Sequence, residues 1–309
     1  MRRILLTLSL SLALAGCTMG DVEPQRRHAP VMRSMPDLFD CLRVNRLALV
    51  SAHRGQKDPL AAENSLASFT NTVERGPIFI EIDIARSADG VLMLMHDATL
   101  DRTTTGTGPL ADKDYRDLRR LWLKDGKGEI TEERIPTLEE ALVWARRNGA
   151  VLQVALKPGV TLAEVLAHVR ENRMENQVIL IAYNLAETRA ALARAPDMMI
   201  SAGARNAGEL PAVLRLAGPH ILYFTGTQEP DAALIARLDN LGVEAITGTL
   251  GAPGKRLDDR YLADGDGREY AELAARGVVL IATDQPVEAW RALKSADRDG
   301  TACLVGDSK

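Results

Sequence analysis

The sequence predicts an α/β fold and favours a closed (β/α)8 barrel over an open sheet. Short apolar runs alternate with amphipathic stretches from Arg46 to Thr283, the rhythm of parallel strands joined by helical crossovers. No Gly-rich dinucleotide fingerprint and no phosphate-loop motif follows the first apolar run, as an open nucleotide-binding sheet would require. The titratable residues His53, Glu81, Asp83, His96 and Lys157 stand at or near the ends of apolar runs. A barrel presents its reacting groups there.

Composition narrows the function classes. With 309 residues, 46% of them apolar, the chain can bury a core of its own. A net charge of −4 and 4% aromatic residues supply neither the basic stripe nor the stacking platform of a nucleic-acid binder. No nucleic-acid partner is expected.

The N-terminus reads as a targeting segment. Arg2-Arg3 forms a basic head, and Ile4 to Ala15 is apolar but short for a membrane span. It ends in Leu14-Ala15-Gly16-Cys17, which resembles a bacterial lipobox. That resemblance implies a signal peptide over 1–16 and acylation at Cys17, holding the protein to a membrane by buried acyl chains. Thr18 after the cysteine favours the outer membrane over the inner one, on the periplasmic side. Residues 17–45 then form a lipidated tether and lead-in, punctuated by Pro24, Pro30 and Pro36. Cys41 and Cys303 could pair in an oxidising compartment, and their spacing leaves that open.

The domain proper spans 46–309. Leu47 to Val50 is the first strand and ends near His53; Asn64 or Ser65 caps the helix that follows, stopped by Gly76-Pro77. Ile78 to Ile84 alternates, putting Glu81 and Asp83 on one face and isoleucines on the other. Asp89-Gly90 turns the chain into a strand over Val91 to Met95, too close to the previous one for a helical crossover. Residues 97–136 carry turn signals and weak periodicity. Thr137 and Glu140 form a capping-box pattern for a helix ended by Asn148-Gly149. Strands are then expected at Ala150–Leu156, Val178–Ala182, Met198–Ser201, Ile221–Phe224, Val243–Thr247 and Val278–Thr283, with helices between. That makes nine strands, one more than a closed eight-stranded barrel needs.

A phosphodiester is a poor electrophile, because its anionic oxygens repel a nucleophile. Cleavage needs a base, an acid, and positive charge on the phosphate. Histidines serve as acid and base near neutral pH, and carboxylates with a hard cation, aided by Arg or Lys, meet the charge requirement. The run His53-Arg54-Gly55, Glu63-Asn64-Ser65, Glu81-Ile82-Asp83, Asp89-Gly90, His96-Asp97 and Leu100-Asp101-Arg102-Thr103-Thr104 resembles the glycerophosphodiester phosphodiesterase family. Ile135-Pro136-Thr137-Leu138 and Thr283-Asp284-Gln285-Pro286 continue the likeness. The resemblance implies a TIM-type (β/α)8 barrel with an insertion after the third strand, here 97–136. It also implies hydrolysis of glycerophosphodiesters to glycerol 3-phosphate and an alcohol. His53 and His96 would be the acid/base pair, and Arg54 and Lys157 would bind the phosphate. Glu81 and Asp83 would ligate a divalent cation, Mg2+ or Ca2+, with Glu63 at the metal or just outside its ligands.

Two departures from that family stand out. Its fourth strand carries an acidic metal ligand two residues before the lysine, and this chain has Ala155 there, in Gln153-Val154-Ala155-Leu156-Lys157. An aromatic Trp-Thr-x-Asn segment near the eighth strand is replaced by Ile246-Thr247-Gly248-Thr249-Leu250-Gly251. Two other readings stay open at this point. One is cleavage by an internal hydroxyl to a cyclic phosphate, in the manner of phospholipase-C-like or sphingomyelinase-D-like enzymes. The other is a lipoprotein that binds phosphodiesters without cleaving them.

Overall fold

The computed structural model describes residues 33–55 and 61–305. Arg2-Arg3, the apolar stretch to Ala15, Cys17 and most of the expected tether lie outside the described residues. The strands are β1 (Leu49–Ala52), β2 (Ile78–Arg86), β3 (Leu92–Leu94), β4 (Trp122–Lys124), β5 (Ile130–Arg134), β6 (Leu152–Leu156), β7 (Val178–Ala182), β8 (Met199–Ala202), β9 (Ile221–Phe224), β10 (Glu244–Gly248) and β11 (Val278–Thr283). β1, β2 and β6 to β11 form a parallel sheet in the order β1-β11-β10-β9-β8-β7-β6-β2, and β1 pairs with β2 to close it. The protein is a (β/α)8 barrel.

The ninth expected strand is β3, which runs antiparallel to β2 with Ile84 opposite Leu94. Its short connection leaves no room for a crossover, so it can only double back. After it, the 97–136 segment forms an excursion containing a short helix and the β4–β5 hairpin.

The helices are α1 (Met35–Asn45), α2 (Leu66–Val73), α3 (Tyr115–Leu118), α4 (Leu138–Asn148), α5 (Leu162–Glu171), α6 (Leu185–Arg194), α7 (Leu210–Leu214), α8 (Ala232–Asn240), α9 (Leu257–Tyr261), α10 (Arg268–Arg276), α11 (Pro286–Ser295) and α12 (Thr301–Leu304). Local chemistry sets their ends. Thr137 and Glu140 make the expected capping box on α4, and Gly149 closes it in the left-handed region at φ 64°. Thr161 and Glu164 repeat the box on α5.

The alternation in β2 shows how the sequence separates two cores. Ile78, Ile80, Ile82 and Ile84 face outward and pack with Leu138, Leu142 and Ala145 of α4. Phe79 faces inward, into a cluster with Val151, Ile179, Met199, Leu222 and Val279 from the early part of neighbouring strands. Glu81 and Asp83 continue that inward face toward the other end of the barrel.

α1 closes the barrel at the N-terminal ends of its strands and was not expected from the sequence, where Pro30 and Pro36 read as tether punctuation. Pro36 instead sits in the first turn of the helix, and Ser34 caps it by accepting from Asp37 N. Met35, Leu38, Phe39 and Leu42 recur at helical spacing and are fully buried beneath the barrel. The Phe39 ring meets the Phe79 ring edge-on, with centroids 6.3 Å apart. Truncating such a buried ring to alanine costs about 3–5 kcal/mol. Cys41 of α1 is disulfide-bonded to Cys303 of α12, across a sequence separation of 262 residues. The two ends of the described chain are thereby tied under the barrel.

Candidate active site

After β1 the chain turns sharply through His53-Arg54-Gly55. Arg54 has φ +56° and Gly55 φ +86°, and a Cβ on Gly55 would lie 2.5 Å from the Phe69 ring. Only glycine fits that position. A non-glycine residue in the left-handed region is uncommon and marks a conformation held in place by its surroundings. Here it aims the Arg54 backbone N–H at Glu81 Oε2, 2.9 Å away, while its guanidinium Nη1 donates to Glu63 Oε1 at 3.0 Å.

The two histidines are built alike. His53 Nδ1 lies 2.8 Å from Asp284 Oδ1, and His96 Nδ1 lies 2.7 Å from Asp97 Oδ1. With Nδ1 held by a carboxylate, Nε2 is the nitrogen left for a substrate. Burial disfavours the charged form of His53, but the bond to Asp284 and the charge of Glu81 outweigh it and raise its pKa. Burial prevails at His96, helped by Arg54, and lowers its pKa despite Asp97. One ring is therefore biased toward imidazolium and the other toward neutral imidazole.

Asp284 is itself firmly placed at the end of β11. It accepts from Gly251 N and Arg256 Nη1, each at 3.1 Å. Its own N–H donates to Asp258 Oδ2 at 2.9 Å, and Asp258 Oδ1 takes the hydroxyls of Tyr270 and Thr283, both at 2.7 Å. Burial raises the Asp284 pKa, but its partners, His53 first, hold the carboxyl well below the usual range.

Glu81 and Asp83 point into the barrel mouth from β2. Asn64 Nδ2 donates to Asp83 Oδ2 at 3.0 Å and Asn64 Oδ1 accepts from Asp83 N at 3.1 Å. Ser65 caps α2, which leaves Asn64 free for this pairing. Lys157 Nζ is 2.7 Å from Asp83 Oδ1. Burial, followed by the charge of Asp83, pushes Glu81 up to about 7. Across the sheet, Glu81 is in register with Gln153 and Asp83 with Ala155. A third acid is thus missing at the level where it would face Asp83, and no group of three or more metal-binding side chains is found among the described residues. The remaining pair still fits a hard cation of the Mg2+ kind, which is held by one or two carboxylates, water and substrate phosphate. A cation would also offset the burial and the Asp83 charge that together raise Glu81.

Glu63 stands behind this pair. Arg54 and Arg102 engage both of its oxygens, and although burial opposes the charge, these guanidiniums lower its pKa.

His53, Glu81, Asp83, His96 and Lys157 line one cavity of about 460 Å3. Ile181, Phe224, Ile246 and Leu250 give the rest of its lining a largely apolar character, interrupted by Ser201 and Thr225. The wall left open by the departure at 246–251 is thus built from Ile246 and Leu250, braced by a Thr225–Thr247 hydroxyl contact of 2.8 Å. Asp97, Asp284 and Arg102 take positions in the site that residue type alone does not reveal, and Asn64, an alternative helix cap in the sequence, pairs with Asp83 instead. Asp97 and Asp284 were legible as acids within the motifs that hold His96 and close the last strand. Nothing local shows that Asn64 and Arg102 reach carboxylates 19 and 39 residues away.

The chain matches the family model "Glycerophosphoryl diester phosphodiesterase family" over residues 53–246. A glycerophosphodiester phosphodiesterase from Caldanaerobacter subterraneus is 31% identical over 49% of this chain and 65% of its own length. The matched region spans only 34% of the Mus musculus and Bos taurus relatives. The crystal structure of a glycerophosphoryl diester phosphodiesterase from Parabacteroides distasonis superposes with TM-score 0.73 at 29% identity, covering 86% of this chain and 94% of that one. An Oleispira antarctica phosphodiesterase, solved with the product sn-glycerol-3-phosphate, shares the fold at TM-score 0.64 and 23% identity, covering 82% of this chain and 99% of that one. The barrel and the family match agree, and the chain belongs to the glycerophosphoryl diester phosphodiesterase family.

Proposed function

We propose that this protein hydrolyses glycerophosphodiesters to glycerol 3-phosphate and an alcohol. The observation that carries the reading is the pair of histidines in one cavity, each held through Nδ1 by its own aspartate and biased toward opposite protonation states. A binder has no use for that arrangement, whereas acid–base catalysis requires it. His96 takes the proton from the attacking water as the new P–O bond forms. His53 gives its proton to the alkoxide as the old P–O bond breaks.

Lys157 supplies positive charge at the cavity wall, and Arg54, held by Glu63 and Asp83 just behind that wall, adds to it. Glu81 and Asp83 would hold a divalent cation, Mg2+ rather than Ca2+ given so few protein oxygens. When bound, it would neutralise phosphate charge and so make phosphorus more electrophilic. The largely apolar remainder of the cavity leaves room for the alcohol.

The protein is further proposed to be a periplasmic-side lipoprotein acylated at Cys17, a reading supported by the lipobox-like Leu14-Ala15-Gly16-Cys17 and by a disulfide suited to an oxidising compartment. The activity is tested by supplying glycerophosphocholine and glycerophosphoethanolamine, with and without EDTA, and measuring glycerol 3-phosphate. Release supports the proposal, and no release from either diester with Mg2+ present overturns it.

A further inference from the structure

We propose that Arg102 is a positioning residue that fixes His96 and Arg54 relative to each other, resting on the acid–base reading above. Arg102 lies in the excursion after β3 and does not line the cavity. Its guanidinium forks twice. On one side Nε donates to Asp97 Oδ2 at 2.6 Å and Nη2 to Asp97 Oδ1 at 3.0 Å. On the other, Nη1 donates to Glu63 Oε2 at 2.8 Å and Nη2 to Glu63 Oε1 at 2.7 Å.

Each carboxylate passes the contact on. Asp97 Oδ1 is also the partner of His96 Nδ1, and Glu63 Oε1 is also the partner of Arg54 Nη1. A continuous path, His96–Asp97–Arg102–Glu63–Arg54, therefore joins the proposed base to the proposed phosphate ligand. It links the turn after β1 to the excursion after β3, which the sheet does not connect directly. The backbone around Arg102 is itself anchored, since Thr104 N donates to Leu100 O at 3.0 Å and Lys124 N to Thr103 O at 2.8 Å.

An isolated exposed ion pair contributes little, and the Arg102 side chain is 46% exposed. The significance lies in the geometry. A planar guanidinium can hold two carboxylates in one plane, which a lysine ammonium cannot do. A shift of about 1 Å in a catalytic group can cost on the order of 100-fold in rate.

The test compares R102Q, R102K, D97N, E63Q and the double variants R102Q/D97N and R102Q/E63Q, with melting curves to check folding. R102Q is expected to lower kcat by about 10–100-fold and to raise KM for glycerophosphocholine. D97N should reproduce chiefly the kcat loss and E63Q chiefly the KM rise. Each double variant should be no worse than its poorer parent in the parameter they share, because both cut one path. R102K should fold normally yet remain close to R102Q. Full recovery in R102K, or losses that multiply in the double variants, would overturn the proposal.

A readout independent of turnover separates this inference from the proposed activity. In imidazole NMR the Nδ1 proton of His96, held by Asp97, should exchange faster in R102Q than in the wild-type protein. An unchanged His96 signal overturns the positioning role even if the enzyme is active. A changed signal supports it even if the substrate assignment fails.

Discussion

His53 Nδ1 and Asp284 Oδ1 lie 2.8 Å apart, joining the first and last strands of the barrel at the site. The bond fixes the ring and, with Glu81, keeps the imidazolium favoured against the burial that opposes it. An acid with a raised pKa is active below that pKa and fails as pH rises through it. D284N should therefore draw the alkaline limb of the pH–rate profile toward lower pH and cut kcat by about 10²–10⁴-fold. The acid limb belongs to His96, which must be neutral and whose pKa is lowered; it should stay in place. A D284N profile superimposable on wild type would contradict this.

Ala155 stands opposite Asp83 across β2 and β6, so A155E would place a third carboxylate at the mouth. Calorimetry should show Mg2+ binding tightened by about tenfold or more, the scale on which ligand-shell changes act. The same substitution should weaken the Lys157–Asp83 pairing by competing for the ammonium. No gain in affinity would remove the cation from the Glu81–Asp83 pair.

Reduction of the Cys41–Cys303 bond, or C303S, should lower stability by about 2–5 kcal/mol, since the closed loop is long. Denaturant melts with and without dithiothreitol measure it. Identical midpoints would show that α1 holds its place by packing alone.

C17S should move the protein from the membrane to the soluble fraction and abolish labelling by a fatty-acid analogue. Membrane retention without label would point to a different attachment.

The barrel was legible because its signal is local. Parallel strands read as apolar runs, and the alternation in 78–84 placed Glu81 and Asp83 together on the face opposite the isoleucines without any knowledge of the sheet. The accessory nature of Val91–Met95 was implied by the short link, and only pairing could assign it as β3. α1 was hidden because a proline in a first turn looks, in sequence, like a proline in a tether. The histidines and carboxylates could be named from residue type and position. Their partners could not, because Asp284 lies 231 residues from His53 and meets it only once the barrel closes. The cysteine pair was undecidable for the same reason and was settled by α1 and α12 meeting beneath the barrel.

The proposed chemistry rests on His53 and His96 acting as an acid/base pair for hydrolysis. It is tested most directly by following glycerophosphocholine with 31P NMR in the presence of wild type, H53A and H96A. A monoester, glycerol 3-phosphate, is expected as the wild-type product, with a loss of about 10²–10⁴-fold in each variant. Full activity in either variant, or a cyclic phosphate as the final product, would contradict it.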